Sequence, residues 1–324
     1  TLFIKKIKNN RFQVLYVVSC NSRDMFSTMT RISIASLRLT NPRFKITIVL
    51  DQITEEVLHK SSDPLLMEVD EVMIIPTPNG NNVFRNRHIK TRLGTLIRAP
   101  FLFLDSDTII RGDISAIFNF NGNVAGVPNL CQKTIEKQVW DQDLKTLKKM
   151  NWKIRNDYYV NGGVLFCNPT RSTISFYNSW HSKWLQSNKK LKLYRDQPAL
   201  NSAIYDSNIR LNILPNIYNA QFRGNPSVSN NAKIWHYYTS AQKSVPVTSF
   251  EILCLQLMGN IDNTLDNVAS IVNSFHPWRR EKIVDDWIAL YAQHIYQPTE
   301  FLANWFSGNR MIALVKLLRN LIMG

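Results

Sequence analysis

The chain has 324 residues, 44% of them hydrophobic and 11% aromatic, enough to bury a substantial core in one or two domains. Only 19% are charged and the formal net charge is +15, which excludes a disordered chain and points to anionic partners. No apolar run approaches the length that crosses a bilayer, and no base-stacking or groove-reading motif accompanies the charge, so neither a transmembrane helix nor nucleic-acid binding is expected.

The first element is the stretch KKIKNNRFQVLYVVSC. A basic start followed by a short apolar run has the outline of a signal peptide, but the run is minimal and Tyr16 interrupts it. A buried strand over 12–20 accounts for it better. Every N-x-[ST] acceptor is blocked by proline, at Asn168 and Asn225. The four cysteines, Cys20, Cys131, Cys167 and Cys254, are far apart, which predicts buried free thiols and a reducing, cytoplasmic setting.

A second buried strand follows over 44–51, FKITIVLD. Between the two strands lies a helix in which Met25, Met29, Ile32, Ile34 and Leu37 share a face. Strand, helix, strand is a βαβ unit. A third strand is expected over 71–76, a helix over 87–99 and a fourth strand over 100–105, PFLFLD. This alternation predicts a mostly parallel sheet with helices on both faces, whose ligands bind beyond the carboxyl ends of the strands. Asp51 and Asp105 both stand at that edge.

Further along come a short strand over 122–128, a polar helix near 134–150 and a strand over 158–170 that contains Asn161, Gly162 and Gly163. An aromatic-rich helix covers 174–186, and the basic run 183–195 reads as a solvated face. The next helix starts behind Asp196, a candidate N-cap, and a late strand lies near 232–240. From about residue 248 three helical stretches follow, so residues 1–247 read as one α/β domain and 248–324 as a helical appendage. The last stretch, 309–324, places Met311, Leu314, Leu317, Leu318 and Leu321 near one face and carries Arg310, Lys316 and Arg319. Such a basic amphipathic helix either packs on its own domain or lies on an anionic membrane.

The chemistry concentrates in FLFLDSDTIIRGDIS. Alternation along a strand lets Asp105 and Asp107 converge while Ser106 turns away. Converging carboxylates resist shared ionisation unless a cation joins them. The alternative is a turn in which each aspartate bonds nearby amides. His236 follows another apolar strand, and imidazole beside two carboxylates favours manganese over magnesium.

These residues resemble the metal-binding segment of GT-A fold, nucleotide-sugar-dependent glycosyltransferases, and glycosyltransferase family 8 in particular. YYVNGGVLFCN is similar to that family's N-[AG]-G segment, RDQPALN to its D-Q-x-x-L-N segment, and HYYTSAQK to its late histidine and lysine. The resemblance covers roughly residues 12–245. It implies a GT-A, Rossmann-like α/β fold and transfer of a hexose from a UDP-sugar, with retention, to a glycan, glycolipid or protein hydroxyl.

It further implies Asp105, Asp107 and His236 as ligands of Mn²⁺, with Mg²⁺ an alternative ion and His276, in the HPW stretch, a rival third ligand. Lys243 would contact the diphosphate, and Lys90 the donor sugar or phosphate. Ser106, Gly162 and Gly163 would line the donor site, and Val18, Ser19 and Cys20 would meet the base. Asp196, Gln197 and Asn161 would stand at the reacting centre. Other readings of the same pattern are a sugar-nucleotide nucleotidyltransferase, against which the lack of a glycine near the first strand counts, and a non-catalytic glycan-binding protein of the same fold.

Overall fold

The computed structural model describes residues 12–22, 24–207, 209–221, 228–229, 231–237, 249–259, 264–274 and 277. Lys243, His276 and the helical stretches expected over 280–296 and 309–324 lie outside these residues.

The chain begins as the periodicity predicts. β1 (Gln13–Val18) and β2 (Lys45–Leu50) run parallel in register, Gln13 opposite Lys45. Five consecutive buried positions in each strand reflect a sheet covered on both faces. Between them α1 (Met25–Thr40) starts where the Asp24 carboxylate accepts the Phe26 N–H. Its buried face carries Met29, Ile32, Ile34 and Leu37, but also Ser33 and Ser36. The Ser33 hydroxyl bonds the Tyr16 and Thr108 hydroxyls, and Ser36 accepts the Ile110 N–H. These short side chains satisfy buried polar groups while holding α1 close to two strands.

α2 (Gln52–Lys60) was not predicted: only Thr54 and Leu58 of its residues are buried, too few to make a stripe. β3 (Glu71–Ile74) and β4 (Phe101–Leu104) lie on the two sides of the β1–β2 pair. The helix expected over 87–99 is two pieces, α3 (Asn82–Lys90), capped by Asn81, and α4 (Leu93–Leu96). After β4 a turn carries residues 105–107 into β5 (Thr108–Ile110). β6 (Val124–Pro128), α5 (Ile135–Gln138), α6 (Asp141–Met150), β7 (Val160–Cys167), α7 (Arg171–Leu191), α8 (Gln197–Asp206), β8 (Leu211–Ile213) and β9 (Ile234–His236) complete the sheet domain. α9 (Ser249–Gly259) and α10 (Thr264–Val272) divide what reads in the sequence as one helical stretch.

The main sheet has seven strands in the order β3-β2-β1-β4-β7-β6-β8. It is mostly parallel, as expected, with β7 antiparallel to both of its neighbours. That exception builds the site. Antiparallel pairing sets Leu104 opposite Val164, so the carboxyl end of β4 meets the amino end of β7, where Asn161, Gly162 and Gly163 lie. A second, two-stranded sheet pairs β5 with β9 antiparallel and sets Thr108 opposite His236.

Alternate strand residues feed two apolar layers. Val14, Tyr16, Ile46, Ile48 and Leu102 belong to one, and Leu15, Val17, Val49, Phe101 and Phe103 to the other, where Phe176, Trp180 and Trp184 of α7 close over them. A third cluster joins Met29, Ile109, Trp235 and Tyr237 to Phe250, Leu253, Leu257, Val268 and Ile271, so α9 and α10 pack on α1, β5 and β9 through shared apolar surface. Arg111 pins the far end of α10: its guanidinium stacks 3.7 Å from the Trp235 ring and donates to the carbonyls of Ser229, Ala232, Val272 and Ser274.

Candidate active site

A cavity of 430 Å³ opens at the carboxyl end of β1 and β4. Its floor is the turn after β4. Asp105 and Asp107 sit in that turn and not on the strand, so the alternation argument for their convergence does not apply; His236 brings them together instead. One ligand atom from each of the three residues lies within 4.8 Å of the others. His236 Nε2 stands 3.3 Å from Asp107 Oδ1 and 3.9 Å from Asp105 Oδ2. Main-chain bonds hold these positions: Asp105 N–H donates to the Gly163 carbonyl and Tyr237 N–H to the Asp107 carbonyl.

Gly163 faces the cluster. A Cβ there would run into the His236 ring and lie 2.8 Å from Asp105 Oδ2. Only glycine therefore lets this strand approach His236 and Asp105 so closely. Two carboxylates and an imidazole nitrogen, converging across a glycine, fit a divalent cation of the manganese class, with magnesium a harder alternative.

Beside the acids is a cationic wall from α3. Lys90 is 3% exposed; its Nζ lies 3.0 Å from Asp105 Oδ1, 3.7 Å from Asp196 Oδ2 and 4.8 Å from the Phe103 ring centroid. Arg87 Nε lies 3.1 Å from Asp196 Oδ1, an ion pair without hydrogen-bond alignment. Asp196 stands at the N-cap position of α8, as expected, but its side chain caps nothing. Burial alone would raise its pKa; Lys90 and Arg87 outweigh that and hold the carboxyl below the usual range. Its Oδ2 and the Arg87 Nε are both buried without a hydrogen bond. Asp196, Arg87 and Lys90 thus form a buried charged cluster in the wall of the cleft.

Asn161 and Gln197 are joined: the Asn161 amide donates to Gln197 Oε1 at 3.2 Å. Val18, Ser19, Lys90, Ser106, Gly162 and Gly163 all line the cavity with them. Strand alternation turns Ser106 away while the family resemblance sets it in the donor site; it lines the cleft and accepts the Thr30 hydroxyl at 2.8 Å. Cys20 does not line it. Its N–H bonds Thr54, its carbonyl accepts Arg85, and burial pushes its thiol up to about 12. Val17 stands in the cavity wall instead. Asp51, at the same sheet edge, is also outside the cleft. It caps α2 through Thr54 and pairs with the buried Arg85 at 3.1 Å.

Sequence reasoning missed several lining residues. Arg87 sits three residues before Lys90 on the same helix face, a spacing that could have found it. Arg195, assigned to a solvated run, lines the cavity, reaches Asp143 at 2.9 Å and lies 4.9 Å from the Trp140 ring. Asn129 lines the site from a turn, and Asn219 touches it through His236, in segments without a local signature.

The model of glycosyl transferase family 8 matches residues 17–243. Among solved structures, the galactosyltransferase LgtC, crystallised with donor and acceptor sugar analogues, aligns over 80% of this chain and 96% of its own, with 14% identity and a TM-score of 0.52. The glycosyltransferase GlyE of Streptococcus pneumoniae aligns over 84% of this chain and 67% of its own, with 14% identity and a TM-score of 0.51. At such identities the likeness is one of fold, and that fold is GT-A. A search of curated proteins finds no significant match.

Proposed function

The chain belongs to glycosyl transferase family 8, and from that premise we propose that it moves a hexose from a UDP-sugar to a hydroxyl of a glycan, glycolipid or protein acceptor, with retention of configuration. The observation that carries this reading is the meeting of two residue sets in one cavity: Asp105, Asp107 and His236 on one side, and Arg87, Lys90, Asp196 and Gln197 on the other.

Asp105, Asp107 and His236 would hold Mn²⁺, which supplies positive charge to a departing diphosphate. Lys90, between Asp105 and Asp196, adds a fixed cation on the same side. Val17, Val18, Ser19, Phe26 and Met29 line the part of the cleft suited to a flat base. Asp196 and Arg87, which both line the cleft, would take sugar hydroxyls. Holding the acceptor hydroxyl against the anomeric carbon lowers the barrier by positioning.

Retention allows two routes. Attack by an enzyme carboxylate would use Asp196, but that group is pinned between two cations, and the Gln197 amide is a poor nucleophile. We favour same-face attack, in which the bond to the leaving phosphate oxygen breaks and that oxygen takes the acceptor's proton. A glycosyl group trapped covalently on Asp196 would overturn it.

Nucleotide release from a panel of UDP-sugars, with Mn²⁺ and then with a chelator, tests the whole reading. Release from one sugar, lost with chelator and in Asp107→Asn, is the expected result. If UDP neither binds nor is released with any sugar or acceptor, the reading is wrong.

A further inference from the structure

His236 is 2% exposed and belongs to a chain of buried amides. Its Nδ1 lies 3.0 Å from Asn219 Oδ1. The Asn219 amide donates to Asn161 Oδ1 at 3.0 Å, and the Asn161 amide donates to Asn129 Oδ1 at 3.1 Å and to Gln197 Oε1 at 3.2 Å. Asn219, Asn161 and Asn129 are each at most 2% exposed.

An amide's oxygen and nitrogen look alike in shape, so such a chain could in principle run either way. Two main-chain groups remove the ambiguity. The Gly163 N–H, which can only donate, points at Asn161 Oδ1 at 2.9 Å. The Gln138 carbonyl, which can only accept, takes the Asn129 amide at 2.6 Å. Asn161 must therefore present its oxygen to Asn219. Asn219 must answer with its NH₂, and its own oxygen is left facing His236. An amide oxygen only accepts, so Nδ1 must carry the proton. A neutral imidazole then bares its lone pair on Nε2, the nitrogen 3.3 Å from Asp107.

We propose that Asn219 is a positioning residue: oriented by Asn161, it holds His236 in the Nδ1–H tautomer, so that Nε2 is ready to bind a cation beside Asp105 and Asp107. Without it, the Asp107 carboxylate draws the ring proton to Nε2 and occupies the ligand position. The same relay ends on Gln197, so the orientation of the sugar-side amide and of the histidine is set by one polar chain. The inference rests on the metal-site part of the proposed function and does not need the transfer reaction.

The test is nitrogen-15 NMR of the metal-free full chain labelled at its histidines, at about pH 8.5, above the ordinary histidine range. His236→Gln assigns the signal. Wild type should show Nδ1 protonated and Nε2 bare. Asn219→Leu should move the proton to Nε2 and weaken Mn²⁺ binding, titrated without sugar, by about 10–100-fold. Asn219→Asp keeps an acceptor for the ring N–H and should restore the Nδ1–H signal, although its second oxygen faces Asn161 Oδ1 and gives up that link of the relay. A wild-type ring protonated at Nε2, or an Asn219→Leu ring unchanged from wild type, overturns the proposal. If Asn219→Leu does not fold, the wild-type and Asn219→Asp spectra decide. A chain with the Nδ1–H signal that never releases nucleotide would sink the proposed reaction and leave this inference standing.

Discussion

Asp51 follows β2 and Asp105 follows β4, at the same edge of the same sheet. What comes next in the chain separates them. Asp51 precedes a helix, and its carboxylate is used up by the Thr54 N–H, the Thr54 hydroxyl and Arg85. Asp105 precedes a tight turn into β5, and its carboxylate turns to the cavity, toward Lys90 and His236. A strand-end acid thus serves the fold when a helix start consumes it, and stays available for a ligand when none does. α3 reaches both regions: Arg85 goes to Asp51 and Lys90 to Asp105.

The largest expected effect lies on the structural side. Asp51→Asn keeps a capping side chain but leaves the buried Arg85 without a counter-charge, and should cost about 3 kcal/mol or more of stability. Denaturant unfolding measures it, and nucleotide release per folded molecule should be unchanged. Asp107→Asn should do the reverse. Release should fall about 10²–10³-fold, while stability holds or rises as carboxylate repulsion is relieved. If both variants lose stability alike, the contrast between the two edges fails.

Acid should strike both regions together. On α3, His88 lies against His181 of α7, ring centroids 4.8 Å apart. Burial, then Arg92, lowers His88 to about 4, and burial, then His88 and Arg92, lowers His181 to about 4. Folded values below the ordinary 6.5 mean that the unfolded chain binds more protons between these limits. The contribution is intact above about pH 6.5 and is lost as pH falls toward 4. Unfolding midpoints measured across that window should fall in wild type and fall less in His88→Phe.

The glycines sharpen the functional side. Gly163→Ala forces a Cβ into His236 and Asp105 and should weaken Mn²⁺ binding at least about tenfold. Gly162→Ala meets Leu200, Lys90 and Asp196 at 3.4–3.9 Å, ordinary contact, and should bind the ion as wild type does. Equal losses in the two would mean that the strand, not the approach to the ligands, sets affinity. Smallest of all, Asp24→Ala removes a simple helix cap from α1 and should cost about 1 kcal/mol, seen as a lower unfolding midpoint with Mn²⁺ affinity kept.

The same distinction governs how much could be read from the sequence. β1, β2, β4 and α1 were legible because both sheet faces are covered and the apolar runs are long. β5, β8 and β9 have three residues each; only β9 was anticipated, from its apolar neighbours. Asp105, Asp107 and His236 stood out because charge after an apolar strand is unusual. Asn219 and Asn129 did not, since an amide in a turn looks the same whether it points to water or to a histidine. Cys20 was misplaced because main-chain bonds to Thr54 and Arg85 bury it away from the cleft that Val17, Val18 and Ser19 line.

Arg111 donates to carbonyl oxygens at the end of α10, those of Val272 and Ser274, and also to those of Ser229 and Ala232 while it stacks on the Trp235 ring. A carbonyl is the same on every residue. These bonds do not read the side chains at 272 and 274, although Val272 is also held by the buried apolar cluster that it shares with Val268 and Ile271. Ser274 can change with its carbonyl still offered to Arg111, Val272 only within its apolar packing, and a single change at Arg111 would be felt at both positions.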